Sequence, residues 1–278
     1  MSATNVTVLG LGAMGRAAAA VLAGGGVPVT AWNRTVRPGV PDGVRVAPSV
    51  VEAVADAPLV LVSVTDQAAA TEVLAAAGNA VRGRVVVNLT TGTPAETAAL
   101  AADLAGRGAT YVGGVVQAQP EQLGTAAAML LVAGDAEALE RHRPTLDLLG
   151  AVVRVGDDPE RAGRYDLTLM GLWYDVQLAV FAAFELAGGD PETFVPFARR
   201  QLGFVVDGLP GVARELRVGA YPRGPATLVE HARVLAQLVE LRAAHGLDTS
   251  ALERADAAAR RLIEAGHGED GFTRLAAS

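Results

Sequence analysis

The chain lacks two residue types on which many enzymes depend. Its 278 residues contain no cysteine, and all 23 of its basic residues are arginine because lysine is absent too. Without these side chains the protein has no thiol nucleophile, no disulfide, no Schiff-base lysine and no lysine base. Because cysteine is missing, redox usage gives no information on the compartment.

Aromatic side chains and positive charge are scarce as well. Aromatic residues make up 4% of the chain against 51% hydrophobic residues, so alanine, valine and leucine must build most of the interior. The net charge of −7 argues against a nucleic-acid partner. The sequence opens without the basic region of a signal peptide, and it shows no apolar run long enough to span a membrane. We therefore expect a cytoplasmic protein with no membrane partner.

Patterns of metal ligands are missing too. The four histidines, His142, His231, His245 and His267, show no ligand spacing. Each is typical of a surface residue on a helix or a loop. We therefore predict no metal site.

Glycine, in contrast, is abundant and forms a motif near the N-terminus. A short apolar run over 6–9 ends at Gly10, and glycines follow at Gly12 and Gly15 before an alanine-rich helical segment. Between a strand and a helix, a GxGxxG motif permits a tight turn, close approach of a pyrophosphate and close helix packing. The helix N-terminus then offers N–H groups to phosphate. A second predicted strand over 27–32 completes a βαβ unit, so this stretch predicts dinucleotide binding.

The residues after that second strand select the cofactor. NAD-binding units usually carry Asp or Glu here, which accepts hydrogen bonds from the ribose. This chain has Asn33, Arg34, Thr35 and Arg37 instead, with no acid before Asp42. Arginines bind a 2′-phosphate through charge-assisted hydrogen bonds, which favours NADPH/NADP+. The alternative is that both arginines are solvated loop residues.

Alternating strand and helix patterns predict the fold of the first part of the chain. Apolar runs typical of buried strands occur at 44–46, 59–64, 84–89, 109–116, 126–133 and 151–155, and helical segments separate most of them. This rhythm is typical of an α/β fold, a doubly wound parallel sheet of the Rossmann type. We therefore expect an NADP-binding domain over residues 1–158.

After residue 158 the pattern becomes all-helical. Residues 160–187 contain no strong helix breaker and are apolar on nearly all faces, which predicts a helix of around 40 Å. Further helices are predicted at 191–206, 210–217, 227–245 and 249–265. Because a helix that is apolar on all sides needs cover, we expect residues 159–278 to form an all-α domain that dimerises with a second copy of the chain.

Three motifs and the long helix resemble those of a known family. GLGAMG at 10–15, NRT at 33–35 and LTTGTP at 89–94 are similar to the β-hydroxyacid dehydrogenase (6-phosphogluconate dehydrogenase-like) superfamily, and within it to the NADPH-dependent imine reductases. The resemblance covers essentially the whole chain. It implies hydride transfer from NADPH to a C=N bond. From the apolar faces of the long helix we expect a homodimer with interlocked C-terminal domains.

The departures from the hydroxyacid branch support this interpretation. Where those dehydrogenases bind the substrate carboxylate with serine and paired glycine, this chain has GGVVQAQP at 113–120. That stretch is similar to the xGAIMATP loop of imine reductases, except that Gly113 replaces the usual Asp. The catalytic lysine of the dehydrogenases and their asparagine one turn later correspond to Asp166 and Met170. Imine reductases typically have Asp or Tyr at the first of these positions, and an aspartate attracts a cationic iminium that a lysine would repel.

Helical spacing places a candidate substrate face on the long helix. Asp166, Met170, Trp173, Tyr174 and Gln177 fall at i, i+4, i+7, i+8 and i+11. We expect this face to line a cleft for a small, apolar, cyclic imine, with Asp166 as the iminium-stabilising acid or proton donor. Tyr174 is an alternative donor, and water is a third. Asp166 as an exposed first-turn acid, and Met170 and Trp173 as core residues, stay open as other interpretations.

The sequence thus predicts a set of site residues and three candidate functions. The candidate functions are imine reduction with NADPH, reduction of a small aldehyde or ketone, and a catalytically silent NADP-binding dimer. The predicted catalytic residues are Asp166 and Tyr174, and the predicted substrate-cleft residues are Val116, Gln117, Gln119, Met170, Trp173 and Gln177. The predicted cofactor-binding residues are Gly10, Leu11, Gly12, Ala13, Met14, Gly15, Asn33, Arg34, Thr35, Arg37, Val64, Thr90 and Thr91.

Overall fold

The structure is a computed structural model, and it describes residues 4–35, 38–55 and 57–277. The chain divides into two compact units after Leu172, inside a long helix. The predicted domain boundary at residue 158 lies just before the same helix begins, and as a boundary it stays a prediction.

The first unit is built on an eight-stranded sheet. In space the strands are ordered β3-β2-β1-β4-β5-β6-β7-β8. The strand order therefore reverses between β1 and β4, and in such sheets ligands bind beside this switch point, at the carboxyl ends of the strands. In chain order the strands are β1 (Val6–Leu9), β2 (Val29–Trp32), β3 (Val44–Val46), β4 (Leu59–Val62), β5 (Val85–Asn88), β6 (Thr110–Gln117), β7 (Met129–Gly134) and β8 (Ala151–Gly156).

Two strands at one edge run against the predicted direction. Strands β1 to β6 are parallel, whereas β7 pairs antiparallel with β6 and β8 pairs parallel with β7. The expectation of an all-parallel sheet is therefore wrong at this edge, although the doubly wound α/β class is confirmed. A parallel neighbour needs a crossover connection, usually a helix. The link over 118–128 contains only a 3-10 turn at Pro120–Gln122, so β7 returns antiparallel.

Helices cover both faces of this sheet. Successive strand residues point to opposite faces. Val8 and Leu61 therefore join the core shared with α1 and α5, whereas Leu9 and Val60 join the core shared with α2, α3 and α4. The helices are α1 (Ala13–Gly24), α2 (Val50–Ala55), α3 (Gln67–Ala76), α4 (Pro94–Gly106) and α5 (Ala136–Leu146).

Helix α6 spans Glu160–Ala187, as the sequence predicts. Its length, and a mean hydropathy of 1.5 over an 18-residue window within it, are sufficient for a membrane crossing, so the expectation that no apolar run is long enough is wrong for this helix. One such helix is weak evidence for a membrane span, because core helices of soluble proteins meet the same criteria. Many of its large apolar side chains are exposed in the single chain, among them Leu172, Leu178 and Phe181.

The second unit is made mostly of helices. The second half of α6 is followed by α7 (Pro191–Val218), α8 (Leu228–Ala244) and α9 (Ser250–Leu262). Helices α8 and α9 pack around a small core that contains Leu228, Ala232 and Ala259. None of the 28 residues of α7, all of which are described, is buried.

The predicted break in the middle of α7 is wrong. The sequence predicts one helix that ends at residue 206 and another that begins at Pro210, but α7 continues through Pro196 and Pro210. A proline inside a helix removes one backbone hydrogen bond and costs about 3 kcal/mol, yet the turns on both sides keep their own bonds. Gly219, in the left-handed conformation, ends the helix.

Candidate active site

The glycine-rich loop between β1 and α1 has the geometry of a phosphate-binding turn. Gly10 has a φ of +102°, and a Cβ atom there would lie 2.1 Å from the carbonyl oxygen of Ser63. A Cβ atom on Gly15 would lie 2.0 Å from the carbonyl oxygen of Gly10. At Gly12, in contrast, a Cβ atom would meet no described heavy atom within 4 Å. The first and third glycines are thus needed by the fold, and the second leaves open space for a ligand.

Helix α1 begins at this open space without a side-chain cap. Its N-cap residue is Gly12, so the N–H groups of the first turn receive no hydrogen bond from a capping side chain. Those N–H groups and the partial positive charge of the helix N-terminus both attract phosphate. The loop therefore fits the pyrophosphate of a dinucleotide.

A cleft of about 660 Å³ opens at the carboxyl ends of β1, β2 and β4. Arg34 lines it and forms an ion pair with Glu72 on α3, with 3.5 Å between Nη1 and Oε2. Both side chains are largely exposed, at 79% and 71%. The guanidinium can therefore turn to a phosphate, and the Glu72 carboxylate would then lie close to that phosphate.

Most predicted cofactor-binding residues contribute to this cleft. Arg37 lies outside the described residues. The predicted residues that line the cleft are Gly10, Gly12, Ala13, Met14, Asn33, Arg34, Thr35 and Val64.

Asn33 ties the end of β2 to the glycine loop. Its Oδ1 accepts a hydrogen bond from the backbone N–H of Leu11 at 2.8 Å, and its Nδ2 donates to the carbonyl oxygen of Thr35 at 2.7 Å. Leu11 itself is buried in the core. These bonds hold the two walls of the cleft together, so Leu11 and Asn33 shape the site from behind.

A buried hydrogen-bond chain holds the loop that follows β5. The Nδ2 of Asn88 donates to Gln67 Oε1 at 3.0 Å and to the Tyr111 hydroxyl oxygen at 3.1 Å, while its Oδ1 accepts from the N–H of Thr90 at 3.1 Å. The Thr90 hydroxyl oxygen accepts in turn from the N–H of Val64 at 3.2 Å. Burial raises the pKa of Tyr111, so its hydroxyl stays protonated. These hydrogen bonds connect the loop after β5 to Val64 in the cofactor cleft.

The far end of the same loop is fixed by a capping box at the start of α4. The Thr93 hydroxyl oxygen accepts from the N–H of Glu96 at 3.3 Å, and the Glu96 carboxylate accepts from the N–H of Thr93 at 2.8 Å. The hydrogen bond from that backbone N–H, followed by the bond from the Thr93 hydroxyl, holds the pKa of Glu96 below its usual range. Thr91 is therefore carried on a loop that is held at both ends.

Glycines and a small alanine allow the first turns of α6 to approach the sheet. A Cβ atom on Gly113 in β6 would lie 2.1 Å from the carbonyl oxygen of Pro159, the residue before α6. A Cβ atom on Gly163 would lie 3.2 Å from the carbonyl oxygen of Gly92. Ala162 is fully buried in a small cluster with residues of β6 and β7. The position of α6 therefore excludes any side chain at Gly113.

This approach brings Asp166 to β6 and to the loop after β5. The Nε2 of Gln117 donates to Asp166 Oδ1 at 2.6 Å, and the Thr91 hydroxyl oxygen lies 3.4 Å from Oδ2. Asp166 is only 6% exposed, so the alternative of an exposed first-turn acid is wrong. Thr91 is exposed and Gln117 is half-buried. The neighbouring predicted residues Val116 and Gln119 are half-buried and exposed.

The other predicted residues of the substrate face lie further along α6. Met170 is 45% exposed in the first unit, so it is not part of the core of the single chain. Trp173 and Tyr174 belong to the second unit, where their rings meet edge to face with centroids 4.9 Å apart. Gln177 is half-buried. A cleft that unites these residues with Asp166 stays a prediction.

In the ranges that the structure describes, no histidine belongs to a group of three or more His, Asp or Glu side chains that could hold a metal ion. The expected surface position is wrong for His142 on α5, which is 4% exposed. Burial, with a smaller contribution from Arg141, lowers the pKa of His142. Its ring is therefore held neutral within a core and takes no part in the candidate site.

Seven residues that line the cofactor cleft are not predicted by the sequence motifs. Trp32, Ser63 and Thr65 line it at or just after the ends of β2 and β4, where the rule for ligands at strand ends would have located them. The remaining wall is a face of α3 with helical spacing, formed by Ala69, Glu72, Val73 and Ala76.

Two family models together cover nearly the whole chain. The NAD binding domain of 6-phosphogluconate dehydrogenase matches residues 5–156. The C-terminal domain of the NADPH-dependent reductive aminase-like type matches residues 158–278. The first match contains the glycine loop and the cleft, and the second contains Asp166.

Individual relatives resemble the chain over the same extent. An NADPH-dependent reductive aminase from Aspergillus oryzae is 29% identical over 230 residues, which are 78% of this chain and 77% of that protein. The structure of an imine reductase from Bacillus cereus is 30% identical with a TM-score of 0.88, covering 98% of this chain and 97% of that one. A reductive aminase from Aspergillus terreus, solved with NADPH4, cyclohexanone and allyl amine, is 28% identical with a TM-score of 0.83, covering 99% and 98%.

Proposed function

Because the chain belongs to the NADPH-dependent imine reductase and reductive aminase family, we propose that it reduces a C=N bond by hydride transfer from NADPH. The observation that carries this proposal is the buried carboxylate of Asp166 in a chain that has no lysine. A carboxylate stabilises the positive charge of an iminium, whereas oxidation of an alcohol in the related dehydrogenases uses a lysine.

The first unit offers sites for the phosphate groups of the cofactor. The open space at Gly12 and the first turn of α1 would hold the pyrophosphate, and Arg34 would hold the 2′-phosphate. Bound NADPH supplies the hydride. The loop that carries Thr90 and Thr91 links the cleft to Asp166, so the carboxylate would stabilise charge near the reacting carbon.

Asp166 has a decisive test. Asp166→Asn keeps the shape and the contact with Gln117 but removes the charge, so turnover should fall by roughly 10²–10⁴ whether the carboxyl group gives a proton or stabilises charge. The affinity for NADPH should stay unchanged, because neither Asp166 nor the two side chains it contacts line the cofactor cleft. Steady-state kinetics with a cyclic imine and a separate cofactor titration would measure the two quantities.

Tyr174 supplies the matched control, since it is the other proton donor predicted on the same helix. Tyr174→Phe removes only the hydroxyl group. If Asp166→Asn kept full activity while Tyr174→Phe abolished it, the hydroxyl of Tyr174 would carry the chemistry. If neither change altered the reduction of imines, water would be the proton source and the proposed role of Asp166 would be refuted.

The substrate class follows from the apolar surroundings. The predicted substrate face contains one acid, two aromatic side chains, a thioether and one amide, which suit a small apolar cyclic imine better than a sugar or a carboxylic acid. Oxidation of NADPH with 3,4-dihydroisoquinoline should exceed that with the related ketone 1-tetralone. A preference for the ketone would favour a carbonyl reductase, and no oxidation with either compound would favour a silent NADP-binding protein.

We also propose that the active form is a homodimer with interlocked C-terminal domains. Support comes from α6 and α7, whose large apolar side chains are exposed in the single chain, Phe181 at 61% and Phe197 at 66% among them. Exposed apolar surface on this scale is typical of an interface. Light scattering at micromolar concentration should give the mass of a dimer, and a monomer would contradict the proposal.

A further inference from the structure

The ends of four neighbouring strands lead from the glycine loop to Asp166. Strands β1, β4, β5 and β6 lie side by side and run in the same direction, so the segments that follow them meet at one edge of the sheet. In sheet order this edge carries Gly10 after β1, Val64 after β4, Thr90 and Thr91 after β5, and Gln117, the partner of Asp166, at the end of β6. The two halves of a dinucleotide lie on either side of the switch point. Because the 2′-phosphate is proposed to bind after β2, the nicotinamide half would extend from β1 over β4 towards β6.

The hydroxyl group of Thr90 continues the pairing of β4 and β5 beyond the ends of these strands. The N–H of Leu89 still donates to the carbonyl oxygen of Val62 at 2.8 Å. Two residues later, the N–H of Val64 donates to the hydroxyl oxygen of Thr90 at 3.2 Å. Thr90 is only 8% exposed, and its own N–H donates to the buried side chain of Asn88. The hydroxyl therefore holds the segment after β4 against the loop after β5.

The segment after β4 packs in turn against the glycine loop. A Cβ atom on Gly10 would lie 2.1 Å from the carbonyl oxygen of Ser63 and 2.9 Å from Cγ1 of Val64. Val64 also lines the cofactor cleft. A shift of Val64 would therefore move a wall of the cleft relative to the phosphate-binding turn.

The residues that follow Thr90 contact helix α6. The hydroxyl oxygen of Thr91 lies 3.4 Å from Asp166 Oδ2, and a Cβ atom on Gly163 would lie 3.2 Å from the carbonyl oxygen of Gly92. Two successive residues thus make contacts on opposite sides: Thr90 with the wall of the cofactor cleft, and Thr91 with Asp166. The loop acts as a short spacer between the cleft and the carboxylate.

We propose that Thr90 is a positioning residue, whose hydroxyl holds Val64 and thereby sets the nicotinamide half of the cofactor at its working distance from Asp166. This inference rests on the proposed reduction of C=N bonds. Hydride transfer requires the reacting atoms to lie about 3–3.5 Å apart, and a misplacement of about 1 Å lowers the rate by up to roughly 100-fold. Thr90 acts through Val64 and takes no part in the bond changes.

Two variants of Thr90 test this role. Valine keeps the size of the side chain and removes the acceptor for the N–H of Val64, whereas serine keeps the hydroxyl group. In a single turnover with 3,4-dihydroisoquinoline, Thr90→Val should oxidise NADPH roughly 10- to 100-fold more slowly than the original protein. A kinetic isotope effect with NADPH deuterated at both C4 positions would identify the slowed step as hydride transfer. Thr90→Ser should keep a rate close to that of the original protein.

Thr7 offers a matched control in the same sheet. It is fully buried in β1, and its hydroxyl donates to the carbonyl oxygen of Ala53. Thr7→Val removes a buried hydroxyl as Thr90→Val does, so both variants should have a lower melting temperature. Only Thr90→Val should slow hydride transfer. A rate that is unchanged in Thr90→Val, not preserved by serine, or equally lowered in Thr7→Val would overturn the proposal.

A measurement without turnover separates this inference from the proposed function. The fluorescence of bound NADPH comes from its reduced nicotinamide ring, so the emission maximum and lifetime at saturation report the surroundings of that ring. Thr90→Val should change both quantities, whereas Thr90→Ser and Thr7→Val should match the original protein. This change in a protein that reduces no imine would support the positioning role and refute the proposed reaction. Identical emission from all four proteins would refute the positioning role, whatever the activity.

Discussion

Replacing Arg34 by alanine should weaken the binding of NADPH and leave the binding of NADH almost unchanged. A guanidinium that binds a phosphate forms hydrogen bonds to a charged group, each worth about 1.5–3 kcal/mol. Because the side chain of Arg34 is 79% exposed, solvent screens the interaction and the lower end of this range applies. We therefore expect the Kd for NADPH to rise about 10- to 30-fold.

The ion pair with Glu72 provides a change in the opposite direction. Its carboxylate lies 3.5 Å from Arg34, so a phosphate bound to the guanidinium would lie within roughly 5 Å of it. Two unit charges at that distance in water interact by about 0.8 kcal/mol, and here the interaction is repulsive. Glu72→Gln should therefore tighten NADPH binding by roughly threefold to fourfold and leave NADH, which lacks the phosphate, nearly unaffected.

Both cofactors can be titrated in one assay. Calorimetry measures both affinities directly, and the quenching of tryptophan fluorescence, to which Trp32 in the cleft contributes, is an independent check. The effect of Arg34→Ala on NADPH should also shrink as salt concentration rises, because the contact is exposed. An equal loss for NADPH and NADH, or equal affinities in the unmodified protein, would refute the assignment of Arg34 to the 2′-phosphate.

Two further predictions concern the glycine loop and the buried histidine. Gly12→Ala should keep the melting temperature but weaken NADPH binding more than about tenfold, because the added methyl group fills the pyrophosphate space. Gly10→Ala should strongly destabilise the fold, because its Cβ atom would meet the Ser63 carbonyl. Scanning fluorimetry and cofactor titration measure the two effects, and a destabilised Gly12→Ala beside a stable Gly10→Ala would contradict the prediction. The pKa of His142 is lowered in the folded state, so the unfolded state binds more protons near pH 6. The free energy of unfolding should therefore be highest above about pH 6.5 and should fall as the pH decreases through the pKa of the folded state. His142→Leu should flatten this pH dependence between pH 7.5 and 5. The free energy of unfolding would be measured by urea titration at each pH, and the same pH dependence in both proteins would contradict the role given to His142.

Features that depend on local sequence are predicted well. The buried apolar strands and the unbroken run of α6 are periodic over many residues, and the motif at Gly10, Gly12 and Gly15 fixes the backbone through steric limits. These signals act over short stretches, so the residues themselves contain the information.

Features that depend on contacts between segments distant in sequence, or on the turns that flank a residue, are predicted poorly. The direction of β7 follows from the short link before it. An apolar run in the sequence predicts a buried strand but does not indicate whether that strand pairs parallel or antiparallel with its neighbour. Pro210 marks a break in sequence but not in α7, since the intact turns on both sides maintain the helix. The contact between Gln117 and Asp166 joins residues 49 positions apart, and its only local signal is a polar side chain at the end of an apolar strand.

The close approach of Gly113 to Pro159 sets a limit on how this protein can be recombined with its relatives. A chimera that imports a β6 segment with any side chain at position 113 would bring a Cβ atom within about 2 Å of the backbone before α6. The helix would have to move away, and the carboxylate of Asp166 would move with it out of reach of Gln117. Strand β6 and the first two turns of α6 therefore form one exchangeable module, and crossover points belong on either side of the pair.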